Sequence, residues 1–108
     1  MSTKTFTFVS DVFATLPRED QEKIFNIGTA FRLLDLQKRL AQAQENVRRF
    51  EAKYGRTLDV LESQGLPEDA DYEMHEDYIE WHYWARVRER TQNTLDVLMS
   101  ISKEHKLA

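Results

Sequence analysis

The sequence predicts an all-α protein: a long antiparallel helical hairpin with a short N-terminal helix, dimerising into a helical bundle. Three observations carry this. The 108 residues include only three glycines and two prolines, and no proline falls between Pro17 and Pro67. Leu33, Leu36, Leu40, Ala43, Val47, Phe50 and Tyr54 recur in alternating steps of three and four, which is a heptad seam. Charged residues make up 31% of the chain, a composition suited to long helices with one solvated face.

The elements follow in order. In the segment 1–16, Thr5-Phe6-Thr7-Phe8-Val9 alternates like a strand, whereas Phe8, Val9, Val12, Phe13 and Leu16 fall at helical spacing. The second pattern is preferred, with a helix from about Phe6 to Ala14. The first long helix is expected over 17–54. Pro17 suits a first turn, and Glu19 and Asp20 face the positive end of the helix dipole. Gly55 is placed for a left-handed cap. Gly28 lies inside this helix and marks the point where a bend is most expected. A second stripe, Ile24, Ile27, Phe31 and Leu34, runs in a different phase from the seam, so this part of the helix needs more than one neighbour.

The connection 55–71 should hold a short helix, capped by Thr57 and ended by Gly65, with Leu58 and Leu61 facing inward. The second long helix is expected over 72–102, with a stripe of Met74, Tyr78, Trp81, Ala85, Arg88, Leu95, Leu98 and Ile101. Arg88, Thr91 and Gln92 interrupt it and are expected to form a hydrogen-bonded layer that sets register. Residues 103–108 are expected to fray. Two helices alone cannot bury a full core. A homodimer is therefore expected, the rival being a monomer closed by the N-terminal helix.

Composition removes several function classes. Without cysteine there is no disulfide, thiolate metal site or cysteine nucleophile. No apolar run approaches the ~18 residues of a membrane span. Met1 to Thr5 lacks the apolar core and cleavage site of a signal peptide. A single cytoplasmic helical domain, 1–108, is expected.

The formal net charge is -4, but it is unevenly distributed. Between Thr57 and Ala85 stand Asp59, Glu62, Glu68, Asp69, Asp71, Glu73, Glu76, Asp77 and Glu80, with no Lys or Arg among them. That segment carries -9 and the remainder +5, from 19 acidic and 15 basic side chains in all. Both tryptophans and three of the four tyrosines lie in the same region. The candidate partner-binding residues are Tyr72, Glu73, Glu76, Asp77, Tyr78, Glu80, Trp81, Tyr83 and Trp84. Tyrosine and tryptophan supply large contact area at low entropic cost. Carboxylates around them steer a basic partner and repel nucleic acid. The competing reading makes Tyr78, Trp81 and Trp84 core and the acids a solvated face.

Other constellations are weaker. His75 and His82 lie two turns apart, not at the i, i+4 spacing of a zinc motif, and no metal is expected. Glu76 and Glu80 are at i, i+4 and favour a solvated face over a cation site. Arg86, Arg88 and Arg90, and the cluster Arg48, Arg49, Lys53 and Arg56, offer phosphate contacts in principle. Pairing of Lys53 or Arg56 with Glu73 or Glu76 across the hairpin is the simpler expectation. The serines lack a nucleophile elbow and the isolated glycines make no phosphate loop. Neither catalysis nor a cofactor is expected.

The runs Phe50-Glu51-Ala52-Lys53-Tyr54-Gly55, Thr57-Leu58, Leu66-Pro67-Glu68-Asp69-Ala70-Asp71 and Glu76-Asp77-Tyr78-Ile79-Glu80-Trp81 resemble those of small all-helical prokaryotic type II antitoxins. These proteins are encoded beside a toxin gene. The resemblance covers about residues 40 to 84. It implies a protein that binds and neutralises a co-encoded small toxin, often an RNA-cleaving or nucleotide-transferring enzyme. It makes Asp77, Tyr78, Glu80 and Trp81 partner contacts. The aromatic Trp81-His82-Tyr83-Trp84 and the arginines from Arg86 to Arg90 depart from the pattern. Two alternatives remain: a DNA-binding autoregulator reading DNA with Thr5 to Val9, and a structural coiled-coil adaptor. Against the first, Lys4 is the sole base before Arg18.

Overall fold

The structure, a computed structural model, describes residues 10–107, with side chains as far as Lys103. Three helices follow a helical turn at residues 10–14: α1 Arg18–Tyr54, α2 Leu58–Gln64 and α3 Tyr72–Leu107. There is no strand among the described residues. The pair α1 and α3 forms the long hairpin, with α2 packed against α3 at its closed end. The molecule measures 64 × 35 × 19 Å, the shape of a two-helix rod. No helix among the described residues is long and apolar enough to cross a membrane.

Local chemistry accounts for the breaks. Pro17 takes φ −51° and ψ 142°. That extended ψ puts it at the N-cap of α1, one residue before the first helical position expected of it. Pro17 has no side chain able to cap, and the adjoining backbone is held differently. Gln21 Nε2 donates to the carbonyl oxygens of Leu16 at 2.8 Å and Ala14 at 3.2 Å. At the far end Gly55 adopts φ 66° and its N–H bonds the Glu51 carbonyl at 2.8 Å. Only glycine enters that left-handed region without steric cost. Thr57 Oγ1 accepts from Val60 N–H and caps α2. Asp71 Oδ1 accepts from Met74 N–H at 2.9 Å and caps α3.

The seam of α1 packs as its spacing requires. Leu36, Ala43, Val47 and Phe50 are buried, and Leu33, Leu40 and Tyr54 are half-buried. Gly28 interrupts nothing, and α1 runs through it as one helix. On α3 the inward positions include Met74, Trp81, Arg88, Leu95 and Ser102, a strict seven-residue repeat. Such a repeat keeps facing its partner only if the pair supercoils slightly. This corrects one expectation: Ser102 is half-buried, and Ile101 stays 43% exposed. It also leaves α3 helical to Leu107, beyond the Ser102 end expected for it.

The core is concentrated near the closed end. Val47, Phe50, Leu58, Leu61 and Trp81 form one buried cluster, flanked by Tyr54, Leu66, Met74, Tyr78, Trp84 and Ala85. Trp81 is fully buried and stacks with Phe50 and Tyr54, at ring-centroid distances of 5.9 and 5.8 Å. Further along, Thr91 is buried, but the expected hydrogen-bonded layer is absent among the described residues. Gln92 Nε2 donates to Asp96 Oδ1 on its own helix. The cross-helix polar bonds lie at the closed end instead, where long side chains reach across.

The second apolar stripe of α1 is uncovered. Ile24, Ile27, Phe31 and Leu34 are 51, 60, 72 and 54% exposed. At ~100° per residue they lie on the face of α1 opposite the seam, where α3 does not reach. The expected N-terminal helix is described from residue 10; positions 5–9, and with them the strand alternative, lie outside the described residues.

Candidate functional site

The nine candidate residues fall into three groups around the first four turns of α3. The first faces inward. Trp81 is sealed between Phe50 and Tyr54, and its Nε1 has no hydrogen-bond partner. Tyr78 is half-buried and donates to Glu62 Oε1 at 3.3 Å. Burial and the Glu62 carboxylate both raise the Tyr78 phenol above its ordinary value. Trp84 is half-buried and meets Tyr83 edge-on, with centroids 5.1 Å apart.

The second group locks α3 to α1. Lys53 Nζ, in the last turn of α1, lies 2.6 Å from both Glu73 Oε1 and Asp77 Oδ2. Tyr54 donates to the same Asp77 oxygen at 2.5 Å. The Lys53 ammonium, then the Tyr54 hydroxyl, hold the Asp77 carboxyl below the usual carboxylate range. Asp77 and Glu73 in turn raise Lys53 above its ordinary value. Burial, then the bond to Asp77, pushes the Tyr54 phenol up to about 12. Glu80 is reached by Arg49 at 3.7 Å. The expected pairing of Lys53 with Glu73 is thus made. Arg56 instead donates to Gln64 Oε1.

The third group faces outward. Tyr72 is 78% exposed and Tyr83 52%. Glu76 is exposed. Ile79, which composition did not single out, is 62% exposed. Tyr72, Glu76, Ile79 and Tyr83 are spaced four, three and four apart. That spacing makes them one stripe of α3, on the face opposite Trp81. Its phase against the seam was the available signal for Ile79. Asp59, Glu68, Asp69 and Glu76 form no ion pair among the described residues. On the stripe itself Glu76 is exposed and unpaired among the described residues, while Glu73 and Glu80 at its edge are held by Lys53 and Arg49.

Comparison with family models, with curated proteins and with solved structures gave no match. Function therefore rests on the side chains themselves. Of the residues that the antitoxin resemblance makes partner contacts, Trp81 is fully enclosed, and Asp77 and Tyr78 are occupied within the hairpin. Glu80 alone of the four is exposed.

The remaining polar clusters are simple. His82 Nδ1 lies 3.0 Å from Glu62 Oε1, so it reaches α2. No group of three His, Asp or Glu side chains among the described residues could hold a metal ion. Arg86 and Arg90 are exposed and Arg88 half-buried, and none of the three forms an ion pair among the described residues.

Proposed function

We propose that this chain is an antitoxin-like binding protein, which neutralises a co-encoded small toxin by covering a basic, RNA-directed active-site cleft. The contact surface is the outer stripe Tyr72, Glu76, Ile79 and Tyr83, with Glu73 and Glu80 at its edge. One observation carries the reading: four successive outward positions of α3 present two tyrosines, an isoleucine and the carboxylate of Glu76, unpaired among the described residues, on one exposed face. Tyrosines give such a contact its area, and carboxylates in register with bound phosphate positions compete for the cations of an RNA-binding cleft. Trp81, Tyr78 and Asp77 act indirectly, by fixing the helix that presents the stripe. The acting unit is a homodimer in the cytoplasm, and neither cofactor nor metal is required.

The test is co-expression with the product of the adjacent open reading frame. The tagged protein should retain that product through purification and suppress its RNA cleavage or nucleotide transfer. Absence of any such complex, with both proteins folded, would remove the proposal.

A further inference from the structure

We propose that two copies of this chain pair antiparallel through the outer face of α1, about a two-fold axis level with Thr29. The proposal deepens the homodimer reading above and rests on it.

The first observation is the uncovered stripe. Ile24, Ile27, Phe31 and Leu34 occupy alternating steps of three and four, all more than half exposed, opposite the face that α3 covers. Thr29, between them in sequence, is buried on the α3 side. The second, independent observation is Gly28. Its φ is not positive, and a Cβ built on it would meet nothing within 4 Å. Neither backbone conformation nor packing within the chain calls for glycine there, although glycine weakens a helix interior. A close neighbour from another molecule would.

The third observation selects the occupant. In an antiparallel helix pair, residues whose numbers sum to a constant share a layer. Setting Ile24 against Leu34 of the second copy also sets Ile27 against Phe31. The same register brings Asp20 level with Lys38 of the other copy at both ends of the apolar seam. Asp20 and Lys38 are both exposed, and in this register opposite charges meet. A parallel pair would place Asp20 beside Asp20 and Lys38 beside Lys38, which is repulsive. Flanking positions of antiparallel helices meet their own symmetry mates near the axis. Here those positions are Gly28 on one side and Ala30 on the other, the small residues that let two backbones approach. The face complements itself under reversal, as an isologous contact requires.

The geometry has a functional consequence. In this assembly α1 lies between α3 of its own chain and α1 of the second, so four helices form a layer and not a closed bundle. The closed ends point away from each other. Tyr54 is 25 residues from the level of the axis, or ~38 Å at 1.5 Å per residue. The two acidic tyrosine stripes then stand about 75 Å apart, and each can engage a partner unhindered by the other.

The absence of cysteine gives a clean experiment in the full chain. Single Ala30→Cys protein treated with a short bis-maleimide should form a covalent dimer. Asp20→Cys alone and Lys38→Cys alone should not, because each is far from its own symmetry mate. An equimolar mixture of those two should cross-link to each other. Sedimentation velocity should show wild type moving from the 12.8 kDa chain mass toward twice that as concentration rises. Phe31→Glu, at a 72% exposed position, should weaken association at least tenfold with unchanged helix content. Cross-linking of Asp20→Cys to itself would overturn the antiparallel register. A wild-type dimer indifferent to Phe31→Glu would overturn this face while leaving the homodimer standing. A wild type monomeric at all concentrations would end both. Loss of toxin binding on Phe31→Glu in a monomeric protein would assign the stripe to that partner and overturn the self-contact.

Discussion

The two outward stripes of the hairpin invite comparison. On α1, Ile24, Ile27, Phe31 and Leu34 are purely apolar, and the flanking charges complement themselves on reversal. On α3, Tyr72, Glu76, Ile79 and Tyr83 combine tyrosine with an acid that has no base of its own among the described residues. Both stripes lie opposite the intramolecular seam and contribute little to it. A face of purely apolar groups suits a contact with an identical copy. A face of amphipathic rings and carboxylates suits a different, basic partner, since tyrosine tolerates both water and burial. The lesson is that exposure alone does not distinguish the two roles; the chemistry at the stripe's edge does.

The comparison is sharpened first at the seam that separates these faces. Trp81→Ala should have the largest effect, about 3–5 kcal/mol of stability, because a fully buried ring between Phe50 and Tyr54 is lost. Urea unfolding followed by circular dichroism would register it. Tyr83→Ala and Phe31→Ala, on the outer faces, should each change monomer stability by no more than about 0.5 kcal/mol. Comparable losses at all three positions would break the division into inner and outer residues.

Asp77→Ala should come next, at about 1–2 kcal/mol. It removes the acceptor shared by Lys53 and Tyr54. The pH dependence has a defined sign. Asp77 is held below its ordinary value. Its contribution is present above the unfolded carboxyl value and is lost as pH falls through the lower folded value. Tyr54 is raised to about 12. Its contribution is present below the unfolded phenol value and is lost as pH climbs from the ordinary ~10 toward that figure. Stability should therefore decline in strong acid and again above about pH 10. Asp77→Ala should flatten the acid limb, and absorbance titration should move Tyr54 part of the way back toward its ordinary value, burial keeping the rest.

Gly28→Ala should have a smaller effect of opposite sign. With open space at the Cβ position, alanine should stabilise the isolated helix by about 0.5–1 kcal/mol. If a second copy approaches there, the same change should weaken self-association. Thermal unfolding of dilute protein and sedimentation of concentrated protein separate the two effects.

Much of the hairpin was legible because helical burial is periodic. The seven α1 seam positions recur with the right spacing, and Thr57, Gly55 and Gly65 are residue types with few other uses. The acidic aromatic region was legible as a cluster but not as a surface. Composition groups Trp81 with Tyr83, yet two residues along a helix turn the side chain by about 200°, enough to place one in the core and the other in water. Ile79 was overlooked for the converse reason: it is apolar, and only its phase against Met74 and Trp81 shows that it faces out. Ile101 misled in the same way. Its character suited the seam, but the strict heptad from Met74 through Leu95 selects Ser102.

The central claim is that the α3 face opposite Trp81 binds a basic partner. It is tested most directly by the affinity of the Tyr83→Ala, Glu76→Lys double variant for the adjacent gene product, measured calorimetrically beside wild type. Loss of at least tenfold in affinity with an unchanged unfolding transition is the predicted result. Wild-type affinity in the double variant would contradict it.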